Sequence, residues 1–280
     1  VTVSAYVNAL RQARDSDDGA VLVIDAGDMW QGTLESNLSE GAFMVAAYNT
    51  IQVTAAAIGN HEFDFGPIGE RAIPIEHGDN PRGALQQRAR EAQFPLLAAN
   101  LIDSANGEPV QWDNVQPSVM IEAAGVDVGI IGVLTSRTLA TTMAANTVGL
   151  EIAPLAPTIA AEARQLRAAG ADLVVVAAHA GGKCEDFSDA HDLSSCDMSG
   201  EIMRVASALE PGLVDHIIGG HNHNPIAHIV NGISITANRS SAYSFGRVDF
   251  RVDREDNRVV SRRVFPPQHT AQGVVGEYEG

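Results

Sequence analysis

Helical periodicity alternating with short, nearly unbroken apolar runs restricts the fold of this chain more than any other feature. Val3, Tyr6, Val7 and Leu10 recur at helical spacing, and a strand-length apolar run follows at 20–26 (AVLVIDA). The same order returns as a helix over 41–51 before a strand at 53–58, and a helix over 83–93 before a strand at 95–99. It returns twice more, as 157–169 before 172–178 (DLVVVAA) and as 200–209 before 215–218. Strands that are apolar on both faces and alternate with helices pair in parallel, with the helices packed outside. Two stretches break the rhythm. Residues 118–133 read as two strands around the turn Ala124-Gly125, and 226–264 holds four short strand-like runs separated by turn residues, so both predict antiparallel meanders. The expectation is an α/β fold with two sheets packed together and helices on both outer faces.

No Pro/Ser-rich or charge-block linker interrupts the interior, so the 280 residues predict one large domain, followed by a polar, turn-rich tail or linker start at 266–280. Eighteen Lys and Arg against 35 Asp and Glu leave a formal charge of −17, which repels nucleic acid and anionic membrane surfaces and excludes them as expected partners. No apolar run approaches the ~20 residues of a spanning helix. Lys183 is the one lysine, and it reads as composition bias on a solubilised surface. Cys184 and Cys196 flank a polar segment without zinc-finger spacing. A local disulfide is the favoured reading and implies an oxidising compartment, a bacterial periplasm or cell exterior. A pair of reduced thiols in a cytosolic enzyme is the alternative.

Four segments place ligating side chains just beyond strand ends, where open α/β sheets bind ligands. They are Asp25-Ala-Gly-Asp28, Gly59-Asn60-His61-Glu62-Phe63-Asp64, Ala178-His179-Ala180 and Gly219-Gly220-His221-Asn222-His223. Taken singly, a strand-end histidine is more often a hydrogen-bonded structural residue, and an aspartate in a Gly-Asp turn is more often a turn former. The His-x-His pair is stronger, because alternate residues of an extended segment point the same way. The conjunction of all four in this order is what carries the metal reading. Asp28, Asn60, His179, His221 and His223 mix oxygen and nitrogen donors, which suits zinc, manganese, iron or cobalt better than calcium or magnesium.

These motifs resemble the calcineurin-like metallophosphoesterases, in particular the catalytic domain of the bacterial 5′-nucleotidase and 2′,3′-cyclic-nucleotide phosphodiesterase group, over residues 3–265. The resemblance implies a four-layer α-β-β-α sandwich of two mixed sheets around a dinuclear centre. Asp28 would bridge both ions, Asn60, His179 and His221 would complete the shell of the second, and His223 would belong to the first. His61 would be the transition-state histidine and Asp64 its orienting partner. The implied reaction is hydrolysis of a small phosphate ester, a nucleotide, by in-line attack of a metal-bound hydroxide.

Two departures qualify the resemblance. The family's first strand ends in Asp-x-His some tens of residues before the Gly-Asp turn, and no such segment precedes Gly27-Asp28. Residues 1–265 therefore read as an N-terminally truncated catalytic domain lacking its first strand. The chain as given is expected to hold one ion where the complete protein holds two, and to be weakly active or inactive. The family's C-terminal nucleoside-binding domain is not legible after Phe265 either, which leaves the substrate unread. Trp30, Trp112 and Tyr243 read as core or surface residues, and 181–197 as a disulfide-fastened rim of the cleft. Two other functions compete: a thiosulfohydrolase-like activity on sulfur compounds, and a degenerate, non-catalytic binding module. There is no Gly-x-Ser-x-Gly elbow, Walker loop or dinucleotide fingerprint.

Overall fold

Helix α1 (Val3–Asp15) turns Val7 and Leu10 inward, as their spacing requires. The chain then enters β1 (Ile24–Asp25), α2 (Ala42–Ile51), β2 (Ala55–Ala57), α3 (Gly83–Glu91), β3 (Leu96–Leu97) and β4 (Val115–Gln116). In this computed structural model, which describes residues 3–253, 255 and 257–270, these strands form a sheet of order β1-β2-β3-β4. Every pairing in it is parallel, and β1 is an edge strand.

The second half supplies β5 (Ser118–Ala123), β6 (Val126–Leu134), α4 (Leu155–Ala168), β7 (Leu173–His179), α5 (Glu201–Ala208), β8 (His216–Gly219), β9 (Ile226–Val230) and β10 (Ile233–Ala237). Its sheet runs β9-β10-β8-β7-β6-β5, parallel at the centre and antiparallel at both edges. The larger sheet is thus the mixed one. The antiparallel pair at 118–133 forms around Ala124-Gly125 as expected. The later meander divides instead: β9 and β10 join the sheet, whereas Val248–Val252 and Val259–Val264 form a separate hairpin. Ser244–Phe245 pairs with Gln268–His269, which fastens the first residues of the polar terminal stretch. The remainder of that stretch, 271–280, lies outside the described residues.

Strand alternation divides the core. Leu173 and Val175 of β7, with Val128 and Ile130 of β6, pack against Ala55 and Leu97 of the smaller sheet. Val174 and Val176 face the other way, onto Ile159, Ala163 and Leu166 of α4 and Ile202 and Met203 of α5. On its far side the smaller sheet is covered by Val45 of α2 and Leu85 and Ala89 of α3. Gly132 lets the sheets meet, because a Cβ there would lie 2.2 Å from that of Leu97. Trp30 is fully buried, Trp112 packs at the edge of the same cluster and Tyr243 is exposed, matching their expected core or surface roles.

Cys184 and Cys196 are bonded, with Cα atoms 4.0 Å apart, a little below the usual lower limit of about 4.4 Å. The bridge closes a sequence separation of 12 residues. Replacing both cysteines by serine is expected to lower unfolding free energy by about 3 kcal/mol, the loop-closure value for such a span, and urea denaturation measures it. Lys183 is exposed and pairs with Glu185 at 2.7 Å. Among the described residues no helix is long and apolar enough to cross a membrane.

One buried histidine gives the fold a pH signature. His216 donates from Nδ1 to the Ser234 carbonyl at 2.9 Å, and its Nε2 lies 3.2 Å from the Thr236 hydroxyl, a neutral and satisfied ring. Burial pushes its pKa down to about 4. The unfolded chain takes up a proton near pH 6.5 and the folded chain only near 4, so stability falls as pH drops through that window and levels off below it. The loss is about 3 kcal/mol at the ~1.4 kcal/mol per pH unit of linkage. Urea midpoints against pH should flatten in His216→Asn; parallel slopes would contradict this.

Candidate metal centre

Strands β1 and β2 are neighbours in one sheet, β7 and β8 in the other, and the sheets pack face to face. Their four C-terminal ends therefore meet, each carrying one of the motifs above. Two glycines allow the approach. A Cβ on Gly27, whose φ is +94°, would lie 2.7 Å from the Gly59 nitrogen and 2.9 Å from Nδ1 of His179. A Cβ on Gly59 would lie 2.2 Å from Oδ1 of Asp28.

Asp28 has φ +64°, a left-handed conformation that is strained for a residue with a side chain. Glu62 holds it there. Its fully buried carboxylate accepts from the backbone N–H groups of Asp28 (2.9 Å), Met29 (2.6 Å) and Gly59 (2.5 Å), tying the two motif loops together. Burial, reinforced by the Asp28 charge, pushes the Glu62 carboxyl up to about 7, while the three donors favour its ionised form.

The donor atoms converge on one point. His179, fully buried at the end of β7, has Nδ1 2.8 Å from the Ala26 carbonyl. A carbonyl only accepts, so Nδ1 carries a proton and Nε2 is left for the site. That Nε2 lies 3.0 Å from Asn60 Oδ1, 3.1 Å from Asp28 Oδ2 and 3.2 Å from His221 Nδ1. Asn60 donates from Nδ2 to the Thr141 carbonyl at 2.9 Å, which fixes its oxygen toward the centre. Ligand atoms of Asp28, His179 and His221 all fall within 4.8 Å of one another. Burial and the neighbouring His179 hold His221 below the ordinary histidine range.

His61 sits beside this group with its backbone N–H on Oδ1 of Asp28 at 2.9 Å. Its Nδ1 is 2.5 Å from Oδ2 of Asp64, whose other oxygen accepts from the Thr142 hydroxyl at 3.1 Å. The hydrogen bond to Asp64 raises the imidazole above its ordinary pKa. His223 stands apart. It is exposed, and the extended geometry expected of the His-x-His pair is not what the backbone adopts: φ is +74° at His221 and +57° at His223. In this left-handed loop the alternate-residue argument fails, and only His221 reaches the cluster.

No protein-family model matches the chain. UshA of Yersinia enterocolitica is 25% identical over 280 residues, covering 93% of this chain and 46% of that protein. A 5′-nucleotidase of Vibrio cholerae is 26% identical over 223 residues, covering 79% and 35%. In sequence the chain resembles UshA proteins and 5′-nucleotidases, the group that its motifs pointed to. Solved structures agree on the fold. The calcineurin-like phosphoesterase YfkN of Bacillus subtilis superposes with a TM-score of 0.72 at 18% identity, over 98% of this chain and 84% of that one. The sulfate thiohydrolase SoxB of Thermus thermophilus reaches 0.74 at 18% identity, over 95% and 42%. The chain spans less than half the length of these two curated relatives.

Motif reading missed the residues that hold the converging side chains in place. Glu62 is in the Gly-Asn-His-Glu run, and its place three residues after Gly59 was the available signal. Asp25 accepts from Gly27 N–H and the Tyr48 hydroxyl, both at 2.8 Å, and its signal was a lone carboxylate ending an apolar run. Thr141 and Thr142 come from a loop remote in sequence, where nothing pointed to them.

Proposed function

We propose that this chain is the metal-dependent catalytic domain of a phosphoester hydrolase acting on nucleotides, a 5′-nucleotidase or cyclic-nucleotide phosphodiesterase. One observation carries the reading: a buried imidazole whose Nδ1 is committed to a backbone carbonyl presents Nε2 to an amide oxygen, a carboxylate and a second imidazole. Lone pairs crowded at about 3 Å are the donor set of a borderline divalent cation such as zinc, manganese, iron or cobalt. The Ala26 carbonyl is then the outer partner that fixes the ligand's tautomer.

Asp28, Asn60, His179 and His221 would hold one ion. Asp28 would be shared with a second ion in the complete protein, which His223 would help to bind. Bound there, divalent ions supply Lewis-acid polarisation of the phosphoryl group and activation of water. The remaining work falls to the chain. Asp64 orients the His61 ring through Nδ1 and keeps it protonated, leaving Nε2–H to stabilise charge on the phosphoryl oxygens or to protonate the leaving oxygen. A non-catalytic scaffold has no use for this pair. The disulfide supports an extracytoplasmic location.

Phosphate release from a nucleoside 5′-monophosphate or a 2′,3′-cyclic nucleotide, with manganese and then with a chelator, tests the proposal on the chain in its full natural context. Metal-dependent phosphate release is expected. Sulfate release without phosphate release would replace it with the sulfur-compound reading, and no hydrolysis by the metal-loaded protein would leave a binding module.

A further inference from the structure

A second cluster of ligating atoms lies away from Asp28 and His179, around the disulfide. Sulfurs of Cys184 and Cys196 and a ring nitrogen of His228 all fall within 4.8 Å of one another. His228 belongs to β9 and is fully buried, packed against the Phe187 ring at 5.8 Å between centroids. Its Nε2 has no hydrogen-bond partner of normal geometry, its Nδ1 takes a long contact from the Ala227 N–H at 3.4 Å, and the Asp186 backbone also interacts with the ring. A buried ring nitrogen without a well-formed hydrogen bond is costly, and a bond to a cation would supply its partner. Both cysteines are also anchored through their backbones. Cys184 N–H donates to the Pro225 carbonyl at 3.2 Å and Cys196 N–H to the Leu193 carbonyl at 3.0 Å, and Asp197 N–H beside it donates to the Lys183 carbonyl at 2.8 Å. These bonds do not depend on the sulfur–sulfur bond.

We propose that reduction of the Cys184–Cys196 disulfide opens a Cys₂His site, with His228 as third ligand, for a thiophilic divalent cation such as zinc. The chemistry balances with a dithiol reductant. It delivers two electrons, the protein disulfide breaks to two thiols, and the reductant closes to its own disulfide. Cation binding then releases two protons as the thiols become thiolates. Three protein ligands with one open position is a known zinc arrangement. The oxidised chain has no such site, because bonded sulfurs are not thiolates, so cation binding here reports the redox state. The proposal does not depend on the hydrolase reading.

Cobalt(II) titration with and without the dithiol tests it. The Asp28–Asn60–His179–His221 group contains no sulfur, so a thiolate-to-cobalt charge-transfer band belongs to the second site alone. The expected result is such a band, with one additional equivalent of cobalt, only in the reduced chain. It should vanish in Cys196→Ser and weaken in His228→Ala by at least the ~10–100-fold that losing an outer-shell partner costs a metal site. A reduced chain with native far-ultraviolet circular dichroism and no band overturns the proposal, as does undiminished affinity in His228→Ala. If reduction alone loosens the chain, melting temperature replaces the band. Zinc should then raise it more in the reduced wild type than in reduced His228→Ala, and equal shifts overturn the proposal.

Discussion

With His61 replaced by alanine, phosphoester hydrolysis is expected to fall by about 10²–10⁴-fold while bound metal stays unchanged, the range for losing one general acid or electrostatic stabiliser. The expectation follows from where the ring sits. Its backbone is tied to Asp28, but its Nδ1 is committed to Asp64, and it is absent from the group whose ligand atoms converge within 4.8 Å. Asp64→Asn should have a smaller effect of characteristic form. Asp64 holds the imidazole above its ordinary pKa, so without that carboxylate the proton is lost at lower pH and the fall in rate on the alkaline side moves to lower pH. Rate–pH profiles and metal analysis of the same samples check both variants. Loss of metal from His61→Ala would make His61 a ligand, and an unchanged rate would remove the pair from the mechanism.

Glu62→Gln is expected to weaken divalent-metal affinity by about 10–100-fold, as loss of an outer-shell partner does elsewhere. Glutamine has nearly the shape of glutamate but one acceptor oxygen fewer. Three backbone N–H groups converge on the carboxylate, so the amide must turn its own donor toward at least one of them. Asp28 then loses part of what holds it at φ +64° and relaxes away from His179. Calorimetric metal titration gives the affinity, and urea denaturation of the metal-free protein separates it from general destabilisation. Undiminished affinity would show that the Asp28 turn holds without the clamp.

Much of the fold was legible because buried strands and amphipathic helices leave opposite periodicities in the sequence. The helix over 41–51 and the strand at 172–178 are found within a residue or two of where those patterns placed them, as Ala42–Ile51 and Leu173–His179. Strand β1 is shorter than its apolar run. Thr54 pairs with Val23 partly through its hydroxyl, and the Gly27 turn begins right after Asp25. At the site, the side chains that converge were readable from strand-end motifs, and the partners that hold them were not. His221 and His223 show the limit most clearly, since identical chemistry two residues apart is separated by a left-handed backbone that no alternation rule anticipates. Glu62 shows the complementary limit: its role depends on three N–H groups brought together only when two strand ends meet.

The proposed function requires that Asp28, Asn60, His179 and His221 form one divalent-cation site. Anomalous diffraction from crystals of the oxidised chain equilibrated with manganese would locate the ion. The expected result is a peak bonded at ~2 Å, the usual length for nitrogen and oxygen ligands, to Asp28 Oδ2, Asn60 Oδ1, His179 Nε2 and a ring nitrogen of His221. That peak should be absent in His179→Ala. Manganese bound elsewhere, or a peak that survives in His179→Ala, would contradict it.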